Sequence, residues 1–237
     1  MSTEITQQVF IGGCERSGTT LLGSILGRHV DCICTPESQF KTDILTQLST
    51  NHSKITAEQV YNILKSNFRF KIWELDIKLE DLSGCDEAYN QMLLSLVKLY
   101  RDKIGKLNAS IWIDHTPSNL QYAKTLSQLF PECKFIHIVR DGRAVASSLK
   151  SLDWGPNTMV SAAKYWMQKL SWGLAAESYF PQNRILRVYY EKLVENPEAE
   201  LENICRFIGI PFEVDMNDIG FKVPRYTRRQ HSLVGEK

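Results

Sequence analysis

The sequence predicts an α/β fold: three layers, with a mostly parallel central sheet, helices on both faces and a helical insert. Three observations predict it. Short apolar, β-prone runs alternate with segments of helical periodicity along most of the chain, the pattern of strands joined by crossover helices. The first run passes through a glycine-containing loop straight into a helix. A later run ends in an arginine and again leads into a helix.

The elements follow in order. Gln8–Gly13 (QVFIGG) reads as a strand, Cys14–Thr20 (CERSGTT) as a loop and Leu21–Gly27 (LLGSILG) as a helix. Asp31–Cys34 (DCIC) reads as a short strand ending at Thr35-Pro36. Residues 41–109 read mainly as helices. Ala57–Asn67 places Val60, Ile63 and Leu64 at helical spacing, and Asp86–Lys103 does so with Met92, Leu93, Leu96 and Leu99. Between them Phe68, Phe70 and Trp73 form an aromatic run, expected in the core rather than lining an acceptor site. Ser110–Ile113 (SIWI) and Lys134–Val139 (KFIHIV) are strands, with a helix at Asn119–Phe130 between them. Helices follow at Asp141–Lys150 and Asn157–Tyr179, then the strand Ile185–Tyr189 (ILRVY). A last helix, Pro197–Phe207, has proline at its first position. With no repeat and no Gly/Ser/Pro linker, residues 1–237 are expected to form one domain, with 38–109 as its insert.

Composition limits the function classes. A chain of 237 residues, 43% of them hydrophobic, can bury one good core and is neither disordered nor fibrous. With 28 Lys+Arg against 27 Asp+Glu, a surface-wide nucleic-acid or membrane binder is not expected. The charge is uneven: residues 191–218 hold eight acids and two bases, and 221–237 hold five bases and one acid, a tail that could meet an anion. No apolar run approaches the roughly 18–20 residues that span a bilayer, and no charged-then-apolar leader opens the chain, so a cytoplasmic protein is expected. Cys14, Cys32, Cys34, Cys85, Cys133 and Cys205 lack zinc-site spacing and read as reduced, mostly buried thiols, with no metal expected.

Two stretches carry chemistry. Gly13-Cys-Glu-Arg-Ser-Gly18-Thr19-Thr20 has the G-x-x-x-x-G spacing of a P-loop, between a strand and a helix. Small residues there let successive N–H groups curl toward an anion at a helix N-terminus. The position where nucleotide triphosphatases carry a lysine is Thr19, and the cation is Arg16 instead. No apolar strand ends in a clear Walker B acid; the nearest candidate is Asp114, after SIWI. Both departures disfavour a magnesium-dependent kinase or NTPase. The second stretch is Lys134–Ser148 (KFIHIVRDGRAVASS). Arg140 ends its strand, where open α/β sheets bind ligands, and Ser148 lies about two helical turns further on. An arginine fork with a serine hydroxyl suits a phosphate; an ion pair within VRDGR is the structural alternative.

Together, ERSGTT and VRDGRAVASS resemble the sulfotransferases that use 3′-phosphoadenosine 5′-phosphosulfate (PAPS). A third stretch agrees: Leu186–Pro197 (LRVYYEKLVENP), then Phe207-Ile-Gly209-Ile-Pro211, is similar to the family's YEDLV…P…FLG. The resemblance runs in the family's order over about residues 8–212 and implies its P-loop NTPase-like fold. It implies that Arg16, Ser17, Gly18, Thr19 and Thr20 hold the 5′-phosphosulfate, that Arg140 and Ser148 hold the 3′-phosphate and that Tyr190 lies against adenine or ribose. The likeness is nearest to the tyrosylprotein sulfotransferases and their bacterial relatives, whose base glutamate matches Glu37. Their lysine before a proline-containing turn matches His115, a departure that leaves His115 as leaving-group acid, second base or donor-positioning group. Another basic residue of that group falls on Leu152, so its contact is missing or comes from Lys150 or a tail arginine. In the tail, Arg229 and Ser232 match the segment that closes over the cosubstrate.

The implied reaction is an in-line displacement: the acceptor attacks sulfur, the 5′-phosphate leaves as 3′-phosphoadenosine 5′-phosphate (PAP), and Arg16 and the loop N–H groups stabilise the growing charge. A base helps a hydroxyl acceptor by roughly 10²–10⁴-fold. Glu37 is preferred over His115 for that role, while a helix-start acid and a satisfied histidine are their structural alternatives. The acceptor side is expected from 38–109. A peptide tyrosine, a sugar and a small molecule all remain open as acceptors. A P-loop kinase or NTPase and a non-catalytic PAP/PAPS-binding domain are the competing functions.

Overall fold

Strand β1 (Gln7–Gly13) is the middle strand of a five-stranded sheet in the computed structural model, which describes residues 3–48, 55–83, 88–150, 152 and 154–217. The other strands are β2 (Cys32–Cys34), β3 (Ile111–Asp114), β4 (Lys134–Val139) and β5 (Ile185–Tyr189), in the spatial order β2-β3-β1-β4-β5. Every pairing in this sheet is parallel. The expected three-layer α/β class holds.

Eleven α-helices are seen among the described residues. Helix α1 (Thr19–Leu26) leaves β1. Between β2 and β3 come α2 (Phe40–Leu48), α3 (Ala57–Ser66), α4 (Phe68–Lys71), α5 (Glu80–Ser83) and α6 (Tyr89–Lys103). Then follow α7 (Ala123–Leu129), α8 (Gly142–Leu149), α9 (Met159–Tyr179), α10 (Tyr190–Glu195) and α11 (Pro197–Ile208). Helix α3 begins with a capping box: Thr56 accepts from the Gln59 N–H while the Gln59 side chain accepts from the Thr56 N–H. Helix α11 begins with Pro197 and ends at Gly209, which is left-handed (φ 96°).

Alternation along the strands builds two cores, one on each face of the sheet. Phe10, Ile33, Trp112, Phe135 and Ile185 pack against the insert helices and α7. Val9, Ile11, Ile113, Ile136, Ile138 and Val188 pack against α1 and α11. Strands buried on both faces read as continuous apolar runs, which is why VFI, WI and FIHIV were visible as strands. In the insert, Phe40 meets Phe70 and Trp73 edge-on at 5.3 and 5.4 Å between ring centroids. Phe70 and Trp73 are core residues as expected, whereas Phe68 is exposed.

Two elements differ from expectation. The helix expected over Asn119–Phe130 begins as a 3-10 turn, Pro117–Tyr122, and becomes α-helical only at Ala123. The Asn119 side chain accounts for this: it is buried and donates to the Ile11 and Asp114 carbonyls, anchoring the turn to the sheet. Helix α10 was not anticipated, because it starts directly at the end of β5 with no turn residue or capping side chain.

The parallel register aligns the carboxyl ends of the strands. Phe10 pairs with Asp114, Gly13 with Ile138 and Val139 with Tyr189. Arg16, Glu37, His115, Arg140 and Tyr190 therefore all follow strand ends on one edge of the sheet. The chain runs from β1 to β2 on one side and crosses to β4 on the other, so β1 lies at the topological switch point where such folds bind ligands.

Candidate active site

The loop after β1 is shaped by backbone crowding. A Cβ on Gly13 would fall 2.3 Å from the Ile138 carbonyl oxygen. Ser17 donates its N–H to the Cys14 carbonyl (3.0 Å), closing the turn. Arg16 itself is left-handed (φ 71°), a conformation that costs a non-glycine residue about 1–2 kcal/mol. Gly18 is also left-handed (φ 99°) and heads α1, with no side chain capping the first helical turn. Those N–H groups carry the helix's partial positive charge at the mouth of the loop.

Four sequence-predicted residues meet there. Arg16 donates from Nε to Ser148 Oγ (3.0 Å), and its carbonyl accepts from Arg140 Nη1 (2.8 Å). The Arg140 guanidinium sits over the Tyr190 ring, 4.1 Å from its centroid. The Arg140 carbonyl accepts from Trp166 Nε1 (3.1 Å), and the next N–H, of Asp141, donates to Glu191 Oε1 (2.9 Å). Asp141 caps α8 by accepting from the Arg143 N–H and pairs with the Arg143 side chain. The ion pair within VRDGR is thus Asp141 with Arg143, and Arg140 is left to the loop. Two buried donors in this cluster, Arg140 Nε and Ser17 Oγ, have no acceptor. Buried donors without partners are costly, and an anion would satisfy them. Arg229 and Ser232 lie outside the described residues. Leu152 packs against the small apolar cluster of Cys14, Val145 and Leu149, while Lys150 is exposed at the end of α8.

On the other side of β1 stand Glu37 and His115. Glu37 lies in the loop between β2 and α2. Its carbonyl accepts from Trp73 Nε1 (3.3 Å), and its carboxylate pairs with Arg69 Nη1 (3.3 Å). Burial pushes its pKa up to about 7, helped by the charges of Asp114 and Glu15, while Arg69 and Lys41 pull the other way. A carboxylate balanced near neutrality suits a general base. His115 is buried, with Gly23 packed so close that a Cβ there would come within 2.8 Å of it. Burial holds its pKa below the usual histidine value, so the ring is neutral at pH 7, and its Nδ1 has no partner.

Asp114 does not present itself as a Walker B acid. It is fully buried and accepts from Ser38 Oγ, Asn119 Nδ2 (2.9 Å) and the Thr116 N–H (2.9 Å), and it pairs with Lys41 Nζ (3.3 Å). Burial alone would raise its pKa, but Lys41 and the three hydrogen bonds outweigh it and hold the carboxyl at about 2.

Sequence reasoning missed several charged residues around the site. Lys41 was hidden because a buried lysine in a helix has no sequence signal. Arg69 comes from α4, in the aromatic run. Glu15 pairs with Lys169 of α9 (3.0 Å), which lies near the rings of Tyr165 and Trp172. Among the described residues no group of three His, Cys, Asp or Glu side chains is placed to hold a metal ion. The five described cysteines are unpaired; Cys85 lies outside the described residues.

Comparison with known proteins then places the chain. Residues 8–214 match the model of the Sulfotransferase family. The chain belongs to the Sulfotransferase family. It is similar to the protein-tyrosine sulfotransferase of Drosophila melanogaster, 30% identical over 211 residues, which are 86% of this chain and 38% of that protein. The chain spans about half the length of the vertebrate relatives it matches. Among solved structures, it is similar to the sulfotransferase domain of the Synechococcus PCC 7002 olefin synthase (TM-score 0.62, 24% identity, 99% of this chain and 84% of that one). It is also similar to the sulfotransferase domain from the curacin biosynthetic pathway (TM-score 0.64, 19% identity, 93% and 80%). This sulfotransferase-family chain therefore has the P-loop NTPase-like fold that its sequence predicts.

Proposed function

We propose that this sulfotransferase-family chain transfers a sulfuryl group from PAPS to a hydroxyl or amine acceptor, releasing PAP. The observation that carries this is the cluster of Arg16, Arg140, Ser148 and Tyr190 around the loop, with Arg140 Nε and Ser17 Oγ buried and without acceptors. That donor set fits two anionic groups flanking an aromatic surface. Arg16, Ser17, Thr19, Thr20 and the loop N–H groups serve the 5′-phosphosulfate, Arg140 and Ser148 the 3′-phosphate, and Tyr190 the nucleoside.

In the reaction an acceptor oxygen bonds to sulfur as the bond to the 5′-phosphate oxygen breaks. Glu37 takes the acceptor's proton, and Arg16 and the N-terminus of α1 stabilise the charge that grows on the leaving oxygen. His115, neutral at pH 7, acts through hydrogen bonding rather than as a cation in place of the family's lysine. The acceptor side is formed from residues 38–109, which bring Arg69 beside Glu37. A peptide tyrosine, as the Drosophila relative's name suggests, is one acceptor class; carbohydrate and small-molecule hydroxyls are the others.

The test is transfer of labelled sulfate from PAPS across a panel of peptide, sugar and small-molecule acceptors, with PAP binding measured by calorimetry. Transfer to at least one acceptor is expected. Binding of PAP without transfer to any would indicate a non-catalytic domain. A kinase or NTPase is disfavoured by Thr19 at the lysine position and by the full set of partners on Asp114; thermal stabilisation by ATP–Mg²⁺ but not by PAP would reinstate it.

A further inference from the structure

The described residues contain one fully buried lysine–carboxylate pair beside the candidate base, and the mechanism above does not use it. Lys41 and Asp114 are both inaccessible to solvent, with Nζ 3.3 Å from Oδ2. Ser38 stands between them. Its Oγ donates to Asp114 and accepts from Lys41 Nζ (3.2 Å), and its N–H donates to Thr116 Oγ1 (2.8 Å). Thr116 in turn donates its N–H to Asp114 Oδ1. The Lys41 carbonyl accepts from Tyr89 Oη (2.8 Å) of α6, which ties the group to the insert.

The placement within the sequence is informative. Glu37 is the residue before Ser38, and His115 lies between Asp114 and Thr116. Each candidate catalytic group is thus a chain neighbour of residues in one dry, hydrogen-bonded lattice. The lattice joins two segments separated by some 77 positions. An apolar contact would hold those segments at least as stably, because desolvating an ion pair offsets most of its attraction. What the ionic pair adds is orientation, through hydrogen bonds that fix both backbones, and a local field.

We propose that Lys41 and Asp114 are positioning residues for catalysis: their pair, with Ser38 and Thr116 bound to it, locks the Glu37 loop onto the His115 turn. This rests on Glu37 being the base. The charges that act on Glu37 are those of Arg69 from α4, which pairs with it, and of Asp114 from β3, Glu15 from the loop after β1 and Lys41 from α2. Asp114 and Glu15 favour its protonated form, whereas Arg69 and Lys41 favour its ionised form, and the influence of Asp114 exceeds that of Lys41. Removing the charge of Asp114 therefore lets Glu37 ionise at lower pH, whether or not Lys41 keeps its proton.

The first measurement reads Glu37 directly and needs no acceptor. Protein labelled with ¹³C-glutamate is titrated by carboxyl NMR, and Glu37→Gln assigns the resonance. The wild-type midpoint is expected near 7. Asp114→Asn, and the charge-neutral double variant Lys41→Met/Asp114→Asn, should lower that midpoint, the single variant by more, because Asp114 favours the protonated form of Glu37 and Lys41 opposes it. The double variant leaves no buried charge unpaired, so it keeps the test open if the single variant does not fold. In the transfer assay at pH 8, where Glu37 is largely ionised in every variant, both should reduce kcat more than KM for PAPS, because the Glu37 loop is released while the donor loop is untouched. Wild-type kcat in both variants would overturn the proposal and leave the pair a structural contact. Full transfer activity in Glu37→Gln would instead overturn the base assignment, a separate result.

Discussion

Arg140 sits over Tyr190 with its guanidinium 4.1 Å from the ring centroid, and Gly18 meets the same ring so closely that a Cβ there would come within 2.5 Å of it. Strand-end cation, loop and α10 are thus one contact, and a change in any of them should be felt as loss of donor binding. Arg140→Ala removes a charged donor and its stacking partner. Each tenfold in affinity is 1.4 kcal/mol, and a charge-assisted hydrogen bond contributes about 1.5–3, so calorimetry should show PAP binding weakened by about 10- to 100-fold. Tyr190→Phe keeps the ring and should bind nearly as wild type. Unaltered affinity in Tyr190→Ala would remove the ring from the donor site.

Gly18→Ala meets two obstacles at once. Its φ of 99° is strained for any residue with a Cβ, and the new methyl collides with Tyr190. The strain alone costs about 1–2 kcal/mol. The variant should melt several degrees lower and lose PAP-induced thermal stabilisation. Adding Tyr190→Ala relieves the collision but not the φ, so the double variant should recover only part of the stability. Full recovery would show that the backbone conformation is not what requires glycine.

The donor side of this site was legible because its constraints are local. A glycine loop between strand and helix, a strand-end arginine and a serine two turns later are fixed by chain geometry over a few residues, and the parallel register then brings them together. The acceptor side was not legible in the same way. Glu37 could be named only through the family resemblance, and its partners Arg69 and Trp73 reach it from the insert, as Lys41 reaches the neighbouring Ser38. Their spacing carries no motif because tertiary packing alone brings them near. The same holds for Asp114. Its position after an apolar strand makes it only the nearest candidate for a Walker B acid, and its neighbours reveal a carboxylate whose partners are protein groups. Helix α10 was missed for the opposite reason: its start has no capping residue, and its first residue, Tyr190, is committed to Arg140.

Glu37 should leave a pH signature in stability as well as in turnover. Its pKa rises from an ordinary 4.5 to about 7 on folding. Between those values the folded protein holds a proton that the unfolded chain has released, so this group's contribution falls as pH rises through the window. The full effect is on the order of 3 kcal/mol. Glu37→Gln removes it. The stability of wild type minus that of Glu37→Gln, from urea unfolding, should therefore decrease from pH 4 to pH 8. Turnover runs the opposite way, requiring ionised Glu37, and should rise toward pH 8 and drop by a hundredfold or more in Glu37→Gln with PAP affinity retained. Arg69→Gln removes the cation that favours the ionised form and should move both transitions upward. A flat stability difference would mean that folding does not raise the Glu37 pKa.

The Lys41–Asp114 pair makes a prediction about stability that is separate from its effect on Glu37. Lys41→Met leaves Asp114 in a dry site with its hydrogen bonds but without its counter-charge, the situation in which breaking a buried pair costs about 3–5 kcal/mol. Replacing both, as Lys41→Met/Asp114→Asn, removes the two desolvation costs together and should cost much less than the sum of the single variants. Urea denaturation of the four proteins closes a double-mutant cycle, and a coupling of about 1–3 kcal/mol is expected for residues in direct contact. Strict additivity would show that the two side chains do not interact in solution. That would also undercut the lattice between Ser38, Thr116 and Asn119, since each of those hydrogen bonds ends on the Asp114 carboxylate or on a group it holds.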